Sequence, residues 1–296
     1  MLRFWFLPII SSCLAAGCAD EPPPDTPEPD RCWEGTVVDC SASSGSSHLF
    51  AIRVFDVARS GGVQDGLDLD CTVSDRADDA TCNQRDFSSP DGRVGIDNQL
   101  GYLLTTFDFQ IGASVRREIA EGSWLRAFEV SGVDDLVNDD CVRVSMIQLR
   151  LPAAVATPAI DVDGLLSSDQ AFELYEATRD TTTAAHVEGG QLIARFDELP
   201  FWVPTVDLPL AATMRRAVLV ATMSPRGLAG GLLGGFVDVD DAVRAAVESD
   251  PTAVMPDLAR NLVDSLADAS RDSTGSCREI SVGLSFDAVV AEVAAP

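Results

Sequence analysis

The apolar residues of this 296-residue chain fall in many short runs, most of them rich in β-branched and aromatic side chains and bounded by Gly, Pro or Asp. Runs of this kind are typical of β-strands. Helical spacing is confined to a few segments, such as Leu100, Leu103, Leu104 and Phe107 at i, i+3, i+4 and i+7. Because strands and helices do not alternate regularly, we predict an α+β fold: a mainly antiparallel β-sheet or sandwich with two helical hairpins, stapled by disulfides.

A glycine-rich segment runs from Gly227 to Gly235. It lacks the G-x-G-x-x-G spacing of a dinucleotide-binding loop and precedes no lysine, so phosphate binding is not expected. We interpret the segment as a turn region in which tight turns and close backbone packing require glycine, and we predict the last strand at residues 280–286.

The first residues have the layout of an export signal. Arg3 is followed by an apolar run over residues 4–10, which is too short to remain as a membrane-spanning helix. The ending Leu14-Ala15-Ala16-Gly17-Cys18 resembles a lipobox, in which the cysteine thiol receives a lipid. We therefore expect residues 1–17 to be removed as a lipoprotein signal peptide and Cys18 to be lipidated. The alternative is an ordinary secretory signal cleaved near Ala16.

Residues 18–31 are acidic and rich in proline, which predicts an extended tether without a packed core. The remaining residues, 32–296, are predicted to form the exported domain, with a sub-division near 151–158. By resemblance to enterobacterial lipoproteins, Ala19 after the lipidated cysteine points to the outer membrane. The face of that membrane is not specified by the sequence.

The net charge of −26 argues against nucleic acid as a partner and against electrostatic attraction to anionic lipid. Membrane contact is therefore expected through the lipid at Cys18 alone. The sequence contains no lysine, so all 21 basic residues are arginine. This excludes lysine Schiff-base chemistry, a Ser-Lys dyad and a Walker lysine.

Six cysteines remain after Cys13 leaves with the signal and Cys18 takes the lipid. An even number in an oxidising compartment predicts disulfides, although six cysteines allow 15 pairings. Proximity along the chain favours the pairs Cys32–Cys40, Cys71–Cys82 and Cys141–Cys277. A metal site built on cysteine is not indicated, because no C-x-x-C occurs.

The acidic segment over residues 65–98 contains the residues that most suggest a functional site. In an extended chain Asp68 and Asp70 point to the same side, and oxygen ligands converging from a loop are what calcium requires. We therefore name Asp65, Asp68, Asp70 and Asp97 as candidate calcium ligands. The segment is not an EF-hand, because Val73 stands where that loop needs glycine. The alternative is a solvated acidic loop, since charge runs are usually solvated.

Signatures of a catalytic site are weak. His48 and His186 are the only histidines, no G-x-S-x-G elbow is present, and we interpret both histidines as exposed strand residues. A hydrolase site with paired carboxylates, as in glycosidases, remains an alternative, because the distance between two carboxylates cannot be read from a sequence.

Several phrases together resemble a group of uncharacterised exported lipoproteins from GC-rich Gram-negative bacteria. They are Asp68-Leu69-Asp70, Pro90-Asp91-Gly92-Arg93-Val94-Gly95-Ile96-Asp97-Asn98-Gln99-Leu100, Val130-Ser131-Gly132-Val133-Asp134-Asp135-Leu136 and Ile280-Ser281-Val282-Gly283-Leu284. The resemblance implies a location in the cell envelope and a shared architecture, and it assigns no functional residue. The leading hypothesis is a non-enzymatic envelope lipoprotein that acts as a binding or structural module, with a protein or glycan partner that the sequence does not specify. The alternatives are a calcium-dependent carbohydrate- or surface-binding module and a carboxylate-dependent hydrolase.

Overall fold

A computed structural model of the chain describes residues 45–56, 63–77, 79, 81–106, 111–181, 184–204, 210–249 and 255–294. Several sequence predictions lie outside the described residues: the signal peptide 1–17, lipidation at Cys18, the tether 18–31 and the Cys32–Cys40 pair.

The described ranges contain ten strands and four helices. The strands are β1 (Ser46–Asp56), β2 (Arg126–Val133), β3 (Asp139–Arg150), β4 (Gln170–Thr181), β5 (Ala184–Glu188), β6 (Gln191–Val203), β7 (Leu210–Ser224), β8 (Gly227–Asp238), β9 (Ala269–Arg271) and β10 (Cys277–Val293). The helices are α1 (Gln99–Thr106), α2 (Ile111–Glu121), α3 (Val239–Ser249) and α4 (Pro256–Asp264).

Eight of the strands form a closed antiparallel barrel in the order β1-β2-β3-β5-β6-β7-β8-β10, and β10 pairs again with β1. The closing strand is β10, which at 17 residues is long enough to pair with β8 along one edge and with β1 along the other. Two strands lie outside the ring. Strand β4 pairs antiparallel with β3 and, over three residues, parallel with the end of β10, while β9 forms a hairpin with the start of β10.

The predicted sandwich with two helical hairpins is therefore wrong. Local patterns in the sequence indicate strands, but which strand edges pair depends on contacts between residues far apart in the chain. Here the first described strand meets the last one, with Leu49 opposite Ala291 and Phe55 opposite Phe286. This pairing removes the free edges that an open sheet would expose.

The barrel interior is filled with apolar side chains. On β10, Val282 and Leu284 are wholly buried and Phe286 is almost so, and the Phe286 ring lies 4.9 Å from the ring of Phe128 on β2. Phe50 on β1 is also wholly buried. An eight-stranded barrel is just wide enough for side chains to fill it, and these apolar residues form part of its core.

The glycine-rich segment 227–235, predicted to be a turn, is instead the larger part of strand β8. It pairs with β7 on one side and with β10 on the other. A Cβ atom on Gly231 would overlap the ring of Phe286, and one on Gly235 would overlap Met214. Glycine is therefore required in this strand by the large side chains beside it.

The helices cover parts of the barrel surface. Helix α2 packs on β1, and its buried residues Ile111, Val115 and Ile119 recur every four positions along one face. Helices α3 and α4 pack on each other, and α3 also contacts β7 and β8. None of the helices in the described ranges has the length and apolar character needed to cross a membrane.

Candidate metal centre

The acidic loop from residue 63 to residue 98 lies over strands β8 and β10. Isolated bridges fold it back on itself, joining Leu67 to Asp97 and Phe87 to Ile96, and all three apolar side chains of these bridges are buried. The barrel offers glycine where the loop backbone docks: a Cβ on Gly283 of β10 would lie 2.7 Å from the carbonyl oxygen of Asp65. The loop is thus a second layer with a fixed position on the barrel.

Asn98 fastens this loop to the barrel and starts helix α1. Its side-chain amide donates hydrogen bonds to the carbonyl oxygens of Asp65 (2.8 Å) and Gly283 (3.1 Å). Its Oδ1 accepts from the backbone N–H groups of Gly283 (2.8 Å) and Gly101 (3.0 Å). The last of these bonds is an N-terminal helix cap. Asn98 is wholly buried, so one side chain joins loop, strand and helix in the protein interior.

Three of the four predicted ligands come together in space. Side-chain oxygens of Asp68, Asp70 and Asp97 all lie within 4.8 Å of one another. Two oxygens bound to one calcium ion at about 2.4 Å each can be at most about 4.8 Å apart, so the three carboxylates fit a single coordination sphere. Asp65 is not part of this group, and its contribution at this place is the backbone carbonyl held by Asn98.

The local chain geometry explains how these carboxylates are positioned. Asp97 follows the buried Ile96 and is only 5% exposed, and its Oδ2 accepts a hydrogen bond of 2.6 Å from the backbone N–H of Leu69. Asp70 accepts from the backbone N–H of Thr72 at 2.9 Å, which forms a tight turn. The bond from Leu69 holds the two halves of the loop together, so that residues 68–70 face residue 97.

The electrostatics of the cluster disfavour three free negative charges. Burial raises the pKa of Asp97 well above its ordinary value, and the nearby charges of Asp70, Asp268 and Asp86 raise it further. Burial and then the charge of Asp70 raise the pKa of Asp68. Without a cation, carboxylates in this position bind protons more readily, and a bound divalent cation would reverse that tendency.

Sequence reasoning missed Asp86 and Asp268, whose negative charges also act on Asp97. Asp86 lies in the same loop and accepts a 2.5 Å hydrogen bond from the backbone N–H of Ser74. Asp268 comes from the segment after α4, and it accepts bonds from both the backbone N–H and the hydroxyl of Ser281 on β10. Burial raises the pKa of Asp268 to about 7. No local pattern indicated Asp268, because β10 brings it near the loop through a contact made in the folded protein.

A disulfide between Cys82 and Cys277 ties the loop to the start of β10. The predicted pairs Cys71–Cys82 and Cys141–Cys277 are therefore wrong, although Cys71 and Cys141 are also disulfide-bonded. Proximity along the chain failed as a guide, because docking of the loop on the barrel brings together two cysteines 195 residues apart.

The histidines lie away from the acidic cluster, on strands β1 and β5. His48 Nε2 is 3.0 Å from the hydroxyl of Ser46 in an exposed pair, and its ring stacks on Phe50. His186 is partly exposed. Within the described ranges, neither imidazole has a hydrogen bond to a carboxylate of the kind that orients the base of a catalytic triad.

Comparison of the chain with protein families, with curated proteins and with solved structures finds no match in any of the three. The resemblance to exported lipoproteins therefore stays a prediction from the phrases quoted above, and the arguments about function depend on the geometry of this chain.

Proposed function

We propose that this protein is a non-enzymatic lipoprotein of the outer membrane, whose barrel domain is held away from the bilayer and presents a binding surface. The observation that carries the proposal is the filled barrel: Phe50, Phe128, Val282 and Leu284 occupy the interior and are fully buried. Large apolar side chains at these positions favour a partner that binds to the outer surface or the ends of the barrel. Lipidation at Cys18 and the tether 18–31 supply the membrane attachment.

Membrane attachment is tested by Cys18→Ser in the full-length chain. Because the body of the protein is strongly acidic, the lipid supplies nearly all membrane affinity, so the variant is expected in the soluble fraction while the native protein sediments with membranes. Cys13→Ser is the matched control, since Cys13 lies in the predicted signal peptide, and this variant is expected to stay with the membranes. Persistent membrane association of Cys18→Ser contradicts the proposal. A native protein that is itself soluble favours the ordinary signal cleaved near Ala16.

The non-enzymatic part of the proposal is tested by a hydrolase screen with ester, glycoside and peptide substrates. A turnover that a single carboxylate substitution abolishes would overturn it and would favour the carboxylate-dependent hydrolase. The expected result is no activity above that of a heat-denatured sample.

A second candidate function is a calcium-dependent module that binds carbohydrate or another surface through the 65–98 loop. The observation that favours it is the convergence of Asp68, Asp70 and Asp97 within the width of one calcium coordination sphere. The pKa values of Asp68 and Asp97 are raised by their surroundings, so a divalent cation would relieve an unfavourable arrangement of charges.

Calorimetric titration of calcium into the purified protein tests this candidate. One ion per chain is expected to bind, with a rise in melting temperature at saturating calcium. Asp97→Asn is expected to abolish both effects. Asp91→Asn is the matched control, because Asp91 lies in the same loop but is exposed and paired with Arg93. Absence of calcium uptake by the native protein would remove the candidate.

A further inference from the structure

A second surface feature, distinct from the acidic cluster, is an open cleft of about 650 Å³ beside the turn between β7 and β8. Its walls come from four places: β1, the loop before β4, the β7–β8 turn and the end of β10. This volume suits a small molecule, since ligand pockets commonly span about 300–1,000 Å³.

The strands around this cleft depart from regular pairing at one place. In β1, Ile52 is opposite Ala288 and Val54 is opposite Asp287, so Arg53 is an extra residue. On the other edge of β10 the register with β8 also shifts between Phe286 and Ala288. Bulges at the rims of barrels re-aim side chains and are over-represented next to functional sites. Here the two irregularities bring Arg53 and Asp287 to the wall of the cleft.

Arg53 has an unusual environment for a charged side chain. Its Nε atom is buried and has no hydrogen-bond acceptor, and no ion pair of its guanidinium occurs among the residues that the structure describes. A buried donor without an acceptor is costly, and guanidinium binds carboxylates well because its donors match their geometry. A second arginine, Arg226, projects from the β7–β8 turn into the same wall, is exposed and likewise has no ion pair within the described ranges.

The cleft also contains carboxylates, and these restrict the class of ligand. Asp161, Asp169 and Asp287 line it together with the hydroxyl-bearing Ser167 and Ser168. Asp161 and Asp287 are held in place by backbone N–H groups, at 2.8 to 3.0 Å. Three acids in a protein of net charge −26 disfavour a ligand with several negative charges, such as a phosphate. A ligand with one carboxylate and one ammonium group matches both kinds of side chain.

We propose that this cleft binds a small zwitterion, namely an amino acid or a short peptide with free termini. The ligand carboxylate pairs with Arg53 and Arg226, and its ammonium group lies toward Asp161, Asp169 and Asp287. This inference rests on the proposed function as a binding protein, to which it adds a site and a ligand class. The acidic cluster takes no part in it.

Calorimetry with the full-length protein in detergent tests the proposal, with dialanine as the probe. Free dialanine is expected to bind, and both its N-acetylated and its C-amidated forms are expected to bind about tenfold or more weakly, because each loses one charge-assisted contact. Arg53→Gln is expected to weaken free dialanine to a similar degree. Arg244→Gln, which makes the same charge change at an exposed position of α3, is the matched control and is expected to bind dialanine as the native protein does.

Three results would overturn the proposal: no binding of dialanine up to about 10 mM, equal binding by Arg53→Gln, or equal binding of the N-acetylated form. The melting temperature of Arg53→Gln shows whether the variant is folded, and Arg53→Lys, which keeps the charge but loses the forked donor, is a second variant expected to bind more weakly than the native protein. If dialanine fails while the Cys18→Ser fractionation behaves as expected, the site is refuted and the lipoprotein proposal stands.

Discussion

Replacing Asn98 by alanine is expected to detach the acidic loop from the barrel. The substitution leaves four groups without their partner: the N–H and the carbonyl of Gly283 and the N–H of Gly101, whose bonds are buried, and the carbonyl of Asp65, whose bond is part-buried. A hydrogen bond contributes about 1 kcal/mol net, and each stranded buried group costs about 1–3 kcal/mol. Allowing for water that enters the site, we expect a loss of about 4 kcal/mol in the free energy of unfolding.

Asn98→Asp separates the donor role of this side chain from its acceptor role. The carboxylate keeps the bonds from Gly283 and Gly101, but an oxygen replaces the amide nitrogen and faces two carbonyl oxygens. At pH 7 it also adds a buried negative charge to an acidic region, so we expect a loss at least as large as that of Asn98→Ala.

Urea unfolding followed by tryptophan fluorescence measures these effects, because Trp124 is buried just before β2. Asn138→Ala is the matched control: Asn138 is exposed and accepts one hydrogen bond, from the N–H of Gly189, so its loss is expected to be below about 1 kcal/mol. If Asn98→Ala is no more destabilising than Asn138→Ala, or if Asn98→Asp is as stable as the native protein, the assigned role of Asn98 is incorrect.

Three further predictions concern the same region. The pKa of Asp268 is about 7 in the folded protein against an ordinary value of 3.8. The protonated side chain therefore stabilises the fold fully below about pH 4, and this stabilisation is lost as pH rises through about 7. The free energy of unfolding should therefore fall by about 4 kcal/mol between pH 4 and pH 7, and the melting temperature should fall with it. If the melting temperature of Asp268→Asn depends on pH as steeply as that of the native protein, the prediction is wrong. Cys82→Ser removes a bridge across 195 residues, and we expect urea unfolding to show a loss of up to about 5 kcal/mol; a loss within error of zero would count against the bridge. Gly283→Ala places a methyl group against the loop backbone, which should cost about 1–3 kcal/mol in the same assay and expose the loop to proteolysis, whereas unchanged cleavage would show that the loop does not dock there.

Local signals in the sequence identified several elements of this structure. The i, i+3, i+4 spacing from Leu100 corresponds to helix α1, and Asn98, directly before it, makes the N-terminal cap. The last strand, predicted at residues 280–286, lies within β10. These elements could be recognised because a helix face, a cap and an alternating strand depend on residues close together in the chain.

Other features could not be predicted from the sequence, because they depend on contacts between residues that are far apart in the chain. The segment 227–235 has the composition of a turn, but its glycines are needed because Phe286 and Met214 occupy the space beside β8. The partner of Cys82 is 195 residues away, and Asp268 joins the acidic field through its bonds to Ser281 on β10. Each depends on which strands lie side by side, and that is a property of the whole barrel.

The sequence by itself determined a lysine-free and strongly acidic chain rich in short strands, and it singled out Asp68, Asp70 and Asp97 as carboxylates capable of meeting. Composition and local spacing are sufficient for such statements, because they concern single residues or near neighbours. Only the tertiary structure decided that the sheet closes, that Asp65 stays outside the carboxylate cluster and that Arg53 reaches the wall of a cleft. These outcomes depend on β10, whose two edges join the first described strand to β8 and bring distant residues together.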